Sequence, residues 1–94
     1  MKADFDSKAN ALLIDLLGVE RCDDAVEIDD TYCHVALWRG QVATIELLNP
    51  ADHLYLLARA GNRLDLDSEA LTAAAKAALS APDRTVTISD RVAA

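Results

Sequence analysis

Residues 25–60 read AVEIDDTYCHVALWRGQVATIELLNPADHLYLLARA, and the parsing of this stretch decides the fold. Four apolar-rich runs are separated by Asp29-Asp30, Arg39-Gly40 and Asn49-Pro50-Ala51-Asp52. β-Branched and aromatic residues fill the runs, and polar, proline or glycine residues break them, which is the pattern of an antiparallel meander. Val26 and Ile28 alternate with Glu27. In the second run Cys33, Val35 and Leu37 share one face, opposite Tyr32, His34, Ala36 and Trp38, because side chains alternate across a strand. Arg39-Gly40 reads as a tight hairpin in which Gly40 supplies positive φ. In the third run Ala43, Ile45 and Leu47 oppose Val42, Thr44 and Glu46. Past the Asn49-Pro50 loop, Leu54, Leu56 and Ala58 oppose Tyr55, Leu57 and Arg59 in a fourth strand closed by Gly61-Asn62. One face of this meander is aliphatic and calls for helices over it. The other is mixed: Tyr32, Trp38, Val42, Tyr55 and Leu57 stand among His34, Thr44, Glu46 and Arg59. A covering helix, a sister subunit or a bound peptide all fit such a face.

The flanks read as helical. Phe5, Ala9, Leu12, Leu13, Leu16 and Leu17 recur at three- and four-residue spacing, which predicts a helix over residues 3–19. Asp4 or Asp6 caps its start and Gly18 ends it. Ile14 falls outside the narrow stripe, so the helix has either a wide core face or a second apolar face for a partner. On the C-terminal side, Asp67 or Ser68 caps a helix running to Leu79, with Leu71, Ala75, Ala78 and Leu79 as its stripe. The run AAAKAAL carries one charge, Lys76. Alanine favours helix and adds little bulk, so this element can lie close to a sheet or to a copy of itself; burial on two sides, as at a homodimer seam, is the expectation. Pro82-Asp83 ends the helix, Thr85 to Ile88 alternate as a last strand, and Ser89 to Ala94 read as a fraying tail.

Composition narrows the function classes. The chain has 94 residues, enough for one domain whose small core makes association a plausible source of stability. Its formal net charge of -7 argues against nucleic acid, which needs a basic stripe, and against anionic lipid. No apolar run approaches the roughly 20 residues of a membrane span, and the N-terminus lacks an apolar signal core, so cytoplasmic residence is expected. Cys22 and Cys33 are too few for a disulfide framework or a zinc knuckle and read as free thiols.

Catalytic and cofactor signatures are missing from this reading. His34 and His53 share no Cys or carboxylate at ligand spacing, so no metal or cofactor is expected. No glycine loop cradles a phosphate. Asp23-Asp24 and Asp29-Asp30 read as turns, Ser7, Ser68 and Ser80 as helix-end residues, and no nucleophile has a base beside it. A binding protein is expected ahead of a small enzyme.

The order of segments carries a resemblance. A helix ending in LLGVE is followed by AVEID, YCHVALW, VATIELL and HLYLLARAG, then by NRLDLDSEALTAAAKAAL. Over residues 5–80 this resembles the class I type III secretion chaperones, the Tir-chaperone family, in size, acidity and element order. The resemblance implies an α+β fold of N-terminal helix, antiparallel meander, second helix and final strand. It further implies a cytoplasmic bacterial homodimer that binds the extended N-terminal segment of a secreted effector, through apolar pockets and strand addition at sheet edges. By position, effector contacts would fall on Ile14, Val26, Ile28, Tyr32, Val35 and Trp38. The dimer interface would fall on Leu71, Ala74, Ala75, Ala78 and Leu79. The competing reading is a small acidic inhibitory or regulatory protein, such as an immunity protein or antitoxin, that engages a folded partner.

Overall fold

A computed structural model describes residues 1–88. The chain is an α+β unit in element order β1 (Lys2–Asp6), β2 (Ala11–Asp15), β3 (Asp24–Asp29), β4 (Cys33–Trp38), β5 (Gln41–Leu48), α1 (Pro50–His53), α2 (Tyr55–Leu64), α3 (Ser68–Ser80) and β6 (Thr85–Thr87). One antiparallel sheet holds all six strands in the order β3-β4-β5-β2-β1-β6. The expected tail at Ser89–Ala94 lies outside the described residues.

The first correction is at the N-terminus, where a β1–β2 hairpin replaces the expected helix. The helical reading needed Asp6 to Asn10 to be helix interior. Instead the Asp6 carboxylate accepts hydrogen bonds from the Lys8 and Ala9 amides, and Asn10 takes the left-handed conformation at φ 51°. These are turn residues closing on their own backbone, an alternative to helix that short polar side chains favour. Alternation then governs: Ala3 on β1 and Leu12 and Ile14 on β2 point inward, while Leu13 points out. Gly18 takes positive φ after all, but as part of a turn in which its amide donates to Asp15.

The second correction is the fourth strand, because residues 50–64 are helical. Pro50 sits in the first turn, where its missing N–H is no loss. Leu57 and Gly61, and Leu56 and Ala60, are buried at four-residue spacing, so the Leu- and Ala-rich segment follows the 3.6-residue period. Gly61 does not close a meander. It lies inside α2 where α3 starts, and a Cβ on it would stand 2.8 Å from the Ser68 Cβ and 2.9 Å from the Leu66 carbonyl oxygen.

The middle of the chain follows expectation. β4 and β5 are joined at Arg39 (φ 50°) and Gly40 (φ 79°), the two-residue turn whose twist matches a hairpin. The register shifts between Ala36 and Leu37, and past that bulge Val42 packs against the core with Leu37. Asp67 caps α3, accepting from the Glu69 and Ala70 amides.

Register lines up Val86, Ala3, Ile14, Ile45, Val35 and Val26 across all six strands. Over this face lie α2 and α3, contributing Leu56, Leu57, Ala60, Leu71, Ala74, Ala75 and Ala78 to one core. The small alanine side chains let α3 approach β1 and β2 closely. The expected dimer stripe is thus consumed inside the protomer: Leu71, Ala74, Ala75 and Ala78 are fully buried, and Leu79 is partly buried against the same core.

Candidate functional site

The two helices cover one face of the sheet, and no described element packs over the other. Its central row runs Thr85, Asp4, Leu13, Glu46, His34, Glu27 from β6 to β3. The adjacent row runs Thr87, Lys2, Asp15, Thr44, Ala36, Ala25. Leu13, 39% exposed, stands near the middle of this face, and Ala25, Ala36 and Thr44 extend the low surface beside it. A shallow depression of about 230 Å³ opens there, lined by Leu13, Ala25, His34, Val35, Ala36, Thr44 and Glu46.

His34 is the conditional charge of the face. Its Nδ1 is hydrogen-bonded to the Glu27 carboxylate on the edge strand, and Glu46 stands opposite it on β5. Partial burial works against the imidazolium, but the Glu27 hydrogen bond and charge, the Thr31 backbone and the Glu46 charge outweigh it and raise the imidazole above its ordinary range. The other carboxylates are engaged locally: Asp4 accepts from the Thr85 hydroxyl at 2.6 Å and Asp15 from the Gly18 amide at 2.8 Å.

Trp38 stands at the corner of this face. The Arg39 guanidinium lies 4.9 Å from its ring centroid and that of Arg21 5.9 Å. Asp23 holds the corner by accepting from the Arg39 amide. An indole flanked by two guanidiniums combines the residue types that most often dominate binding energy at protein interfaces.

The residues singled out from sequence separate in space. Ile14 and Val35 are buried under the helices and Ile28 is nearly so; Val26 is half-buried on the covered side. Alternation turns these four inward, and of them only Val35, itself 1% exposed, is among the residues lining the depression on the uncovered face. Tyr32 leaves it too: its ring stacks on His53 at 3.8 Å, beside α1. His53 Nδ1 donates to the Asn49 carbonyl at 2.8 Å. Tyr55 and Leu57 sit on α2, the one exposed beside Arg59, the other buried. Of the expected effector contacts Trp38 alone has its side chain at the border of the uncovered face, while His34, Thr44 and Glu46 of the mixed face lie on it. Sequence reasoning missed Leu13 and Glu27 as members; the alternation in ALLID, with Leu12 and Ile14 in and Leu13 out, was the signal for the first.

Set against known protein families, curated proteins and solved structures, the chain matches none.

Chemistry elsewhere is sparse. Among the described residues no three His, Cys, Asp or Glu side chains gather so as to hold a metal ion. Burial pushes the Cys33 thiol up to about 11, with the Asp29 and Glu27 charges adding to it, so this thiol is held protonated. Cys22 is exposed. No described helix is long and apolar enough to cross a membrane.

Proposed function

We propose that the chain is a small acidic binding protein that engages a folded partner through the uncovered face of its sheet. One observation carries the reading: a six-stranded sheet lies bare on one side, with Leu13 near its middle, Ala36 and Ala25 leading from there to the β3 edge, carboxylates around them and a Trp–Arg corner. Apolar residues ringed by charge are the layout of a binding patch. A broad sheet face suits a folded surface; an extended segment is bound in a groove or along an edge.

The secretion-chaperone reading rested on a leading helix and a fourth strand, and both positions hold other structure. What supports it now is the free edge of β3, where an extended effector segment could add as a strand. Arg63 Nη1 already donates to the Glu27 carbonyl at 3.0 Å, and Asp24, Glu27 and Asp29 make that edge acidic.

The test compares quantitative capture from the native host by the wild type, Leu13→Lys on the uncovered face and Lys76→Glu on the exposed side of α3. The reading expects one partner to be lost with Leu13→Lys and kept with Lys76→Glu. Equal capture by all three removes the face from consideration. Partner capture by β3-edge competitor peptides, with Leu13→Lys indifferent, would favour the chaperone reading. Trp38→Ala is expected to weaken capture about tenfold or more while leaving the circular dichroism spectrum unchanged.

A further inference from the structure

We infer that the uncovered face seats a lysine or arginine side chain of its partner, with the aliphatic stem in the depression over Leu13, Ala25 and Ala36 and the cationic head at Glu46 and Glu27. This rests on the binding reading above and names the chemistry of its contact. The shape and the charge of the depression point the same way. Leu13, Ala25, Val35 and Ala36 give it an apolar side, beside His34, Thr44 and Glu46, which suits the stem of a long cationic side chain. Five carboxylates belong to this face, Asp4, Asp6, Asp15, Glu27 and Glu46, against Lys2 on the sheet and Arg21 and Arg39 at the Trp38 corner. Asp4, Asp6 and Asp15 are occupied by Thr85, by the Lys8 and Ala9 amides and by the Gly18 amide. Glu46 is exposed and makes neither hydrogen bond nor ion pair among the described residues. A second copy of this chain, with its net charge of -7, would bring carboxylates against carboxylates. An anionic partner meets the same repulsion.

His34 competes for the same carboxylates. The groups facing its ring are Glu27 from β3 and Glu46 from β5; β2 presents the uncharged Leu13 in that row. Protonated, the imidazolium satisfies Glu27 from within. As pH rises and the proton leaves, the positive charge beside Glu27 and Glu46 is lost and the face becomes one unit more negative. A bound cation therefore holds more tightly at higher pH.

The experiment titrates the full chain with a tetralysine amide, and with tetraglutamine as control, reading amide chemical shifts. Shifts are expected to centre on Leu13, His34, Thr44 and Glu46, with tetraglutamine producing none. Glu46→Gln should weaken tetralysine by about two- to fivefold, the size of an exposed ion pair. Affinity should climb from about pH 5.5 to about pH 8, and that climb should vanish in His34→Gln. Shifts centred instead on the acidic turns at Asp23-Asp24 or Asp29-Asp30 overturn the inference, as does a Glu46→Gln variant that binds like wild type or a pH climb that survives in His34→Gln. If tetralysine misses the face while Leu13→Lys still abolishes partner capture, this inference fails and the binding reading stands. If capture survives Leu13→Lys, the binding reading itself fails.

Discussion

His34 and Cys33 are neighbours in the chain with opposite environments, and both carry measurable consequences. The His34 ring is raised above its ordinary range by Glu27 and Glu46, so folding favours its protonated form. The pair therefore contributes stability that is fully present below the unfolded pKa of about 6.5 and is lost as pH rises through the higher folded value. Glu27→Gln should move the His34 titration midpoint downward in an NMR series; an unmoved midpoint would show that Glu27 is not the cause. Cys33, one position earlier, points to the core and keeps its proton. In the native protein a thiol reagent should label Cys22 alone, and both thiols only after denaturation. Rapid labelling of both without denaturant would contradict the burial of Cys33. None of this was legible at the level of residue type. Sequence alternation placed Cys33 and His34 on opposite faces, but only the register across three strands puts two glutamates beside the histidine.

Two elements hold the covering layer together. At Gly61 the second helix comes so near the start of the third that a side chain has no room, with Ser68 and Leu66 at 2.8 and 2.9 Å. Gly61→Ala should lower stability by about 1–3 kcal/mol in chemical denaturation, since overpacking outweighs the small gain in helix propensity. A variant as stable as wild type would mean that the two helices separate easily there. On α3 the alanine stripe decides between two architectures. As a dimer seam, Ala75→Glu would yield a folded monomer. As core against β1 and β2, it buries a carboxylate without a partner and should lower stability by more than about 3 kcal/mol. Calorimetry beside sedimentation separates these: a loss of the cooperative transition is expected, and a well-folded monomer derived from a dimer would restore the seam. An alanine-rich helix is equally suited to both uses, which is why the segment alone could not choose between them.

At the scale of the molecule, the asymmetry of the sheet matters most. One face is sealed by two helices and the other keeps Leu13 half in water. A substitution there should be nearly silent for folding: Leu13→Lys should change stability by no more than about 0.5 kcal/mol while removing partner capture. A large drop in melting temperature would show instead that the face contributes to the core. The chain order also explains why the hairpin of β1 and β2 was hard to see. These two strands are joined by a short turn, yet β2 pairs with β5, far along in the meander, and β1 pairs with β6 near the far end. Their pairing partners are not local, so local periodicity alone had to distinguish helix from strand: Phe5, Ala9, Leu12, Leu13, Leu16 and Leu17 follow the helical spacing, while Leu12 and Ile14 about Leu13 follow that of a strand.

What the sequence by itself determined was the part governed by neighbours along the chain. The β4–β5 hairpin at Arg39-Gly40, the inward set Cys33, Val35, Ala43, Ile45 and Leu47, a helix capped at Asp67 or Ser68 and the final strand at Thr85 all follow from turn chemistry, alternation and capping, which act within a few residues. What only the tertiary structure decided was the state of segments whose apolar residues satisfy two periods at once, residues 2–15 and 50–64, and the use of the alanine stripe. Burial against a distant strand or helix broke those ties, because the free energy that selects between helix and strand there comes from packing rather than from local propensity.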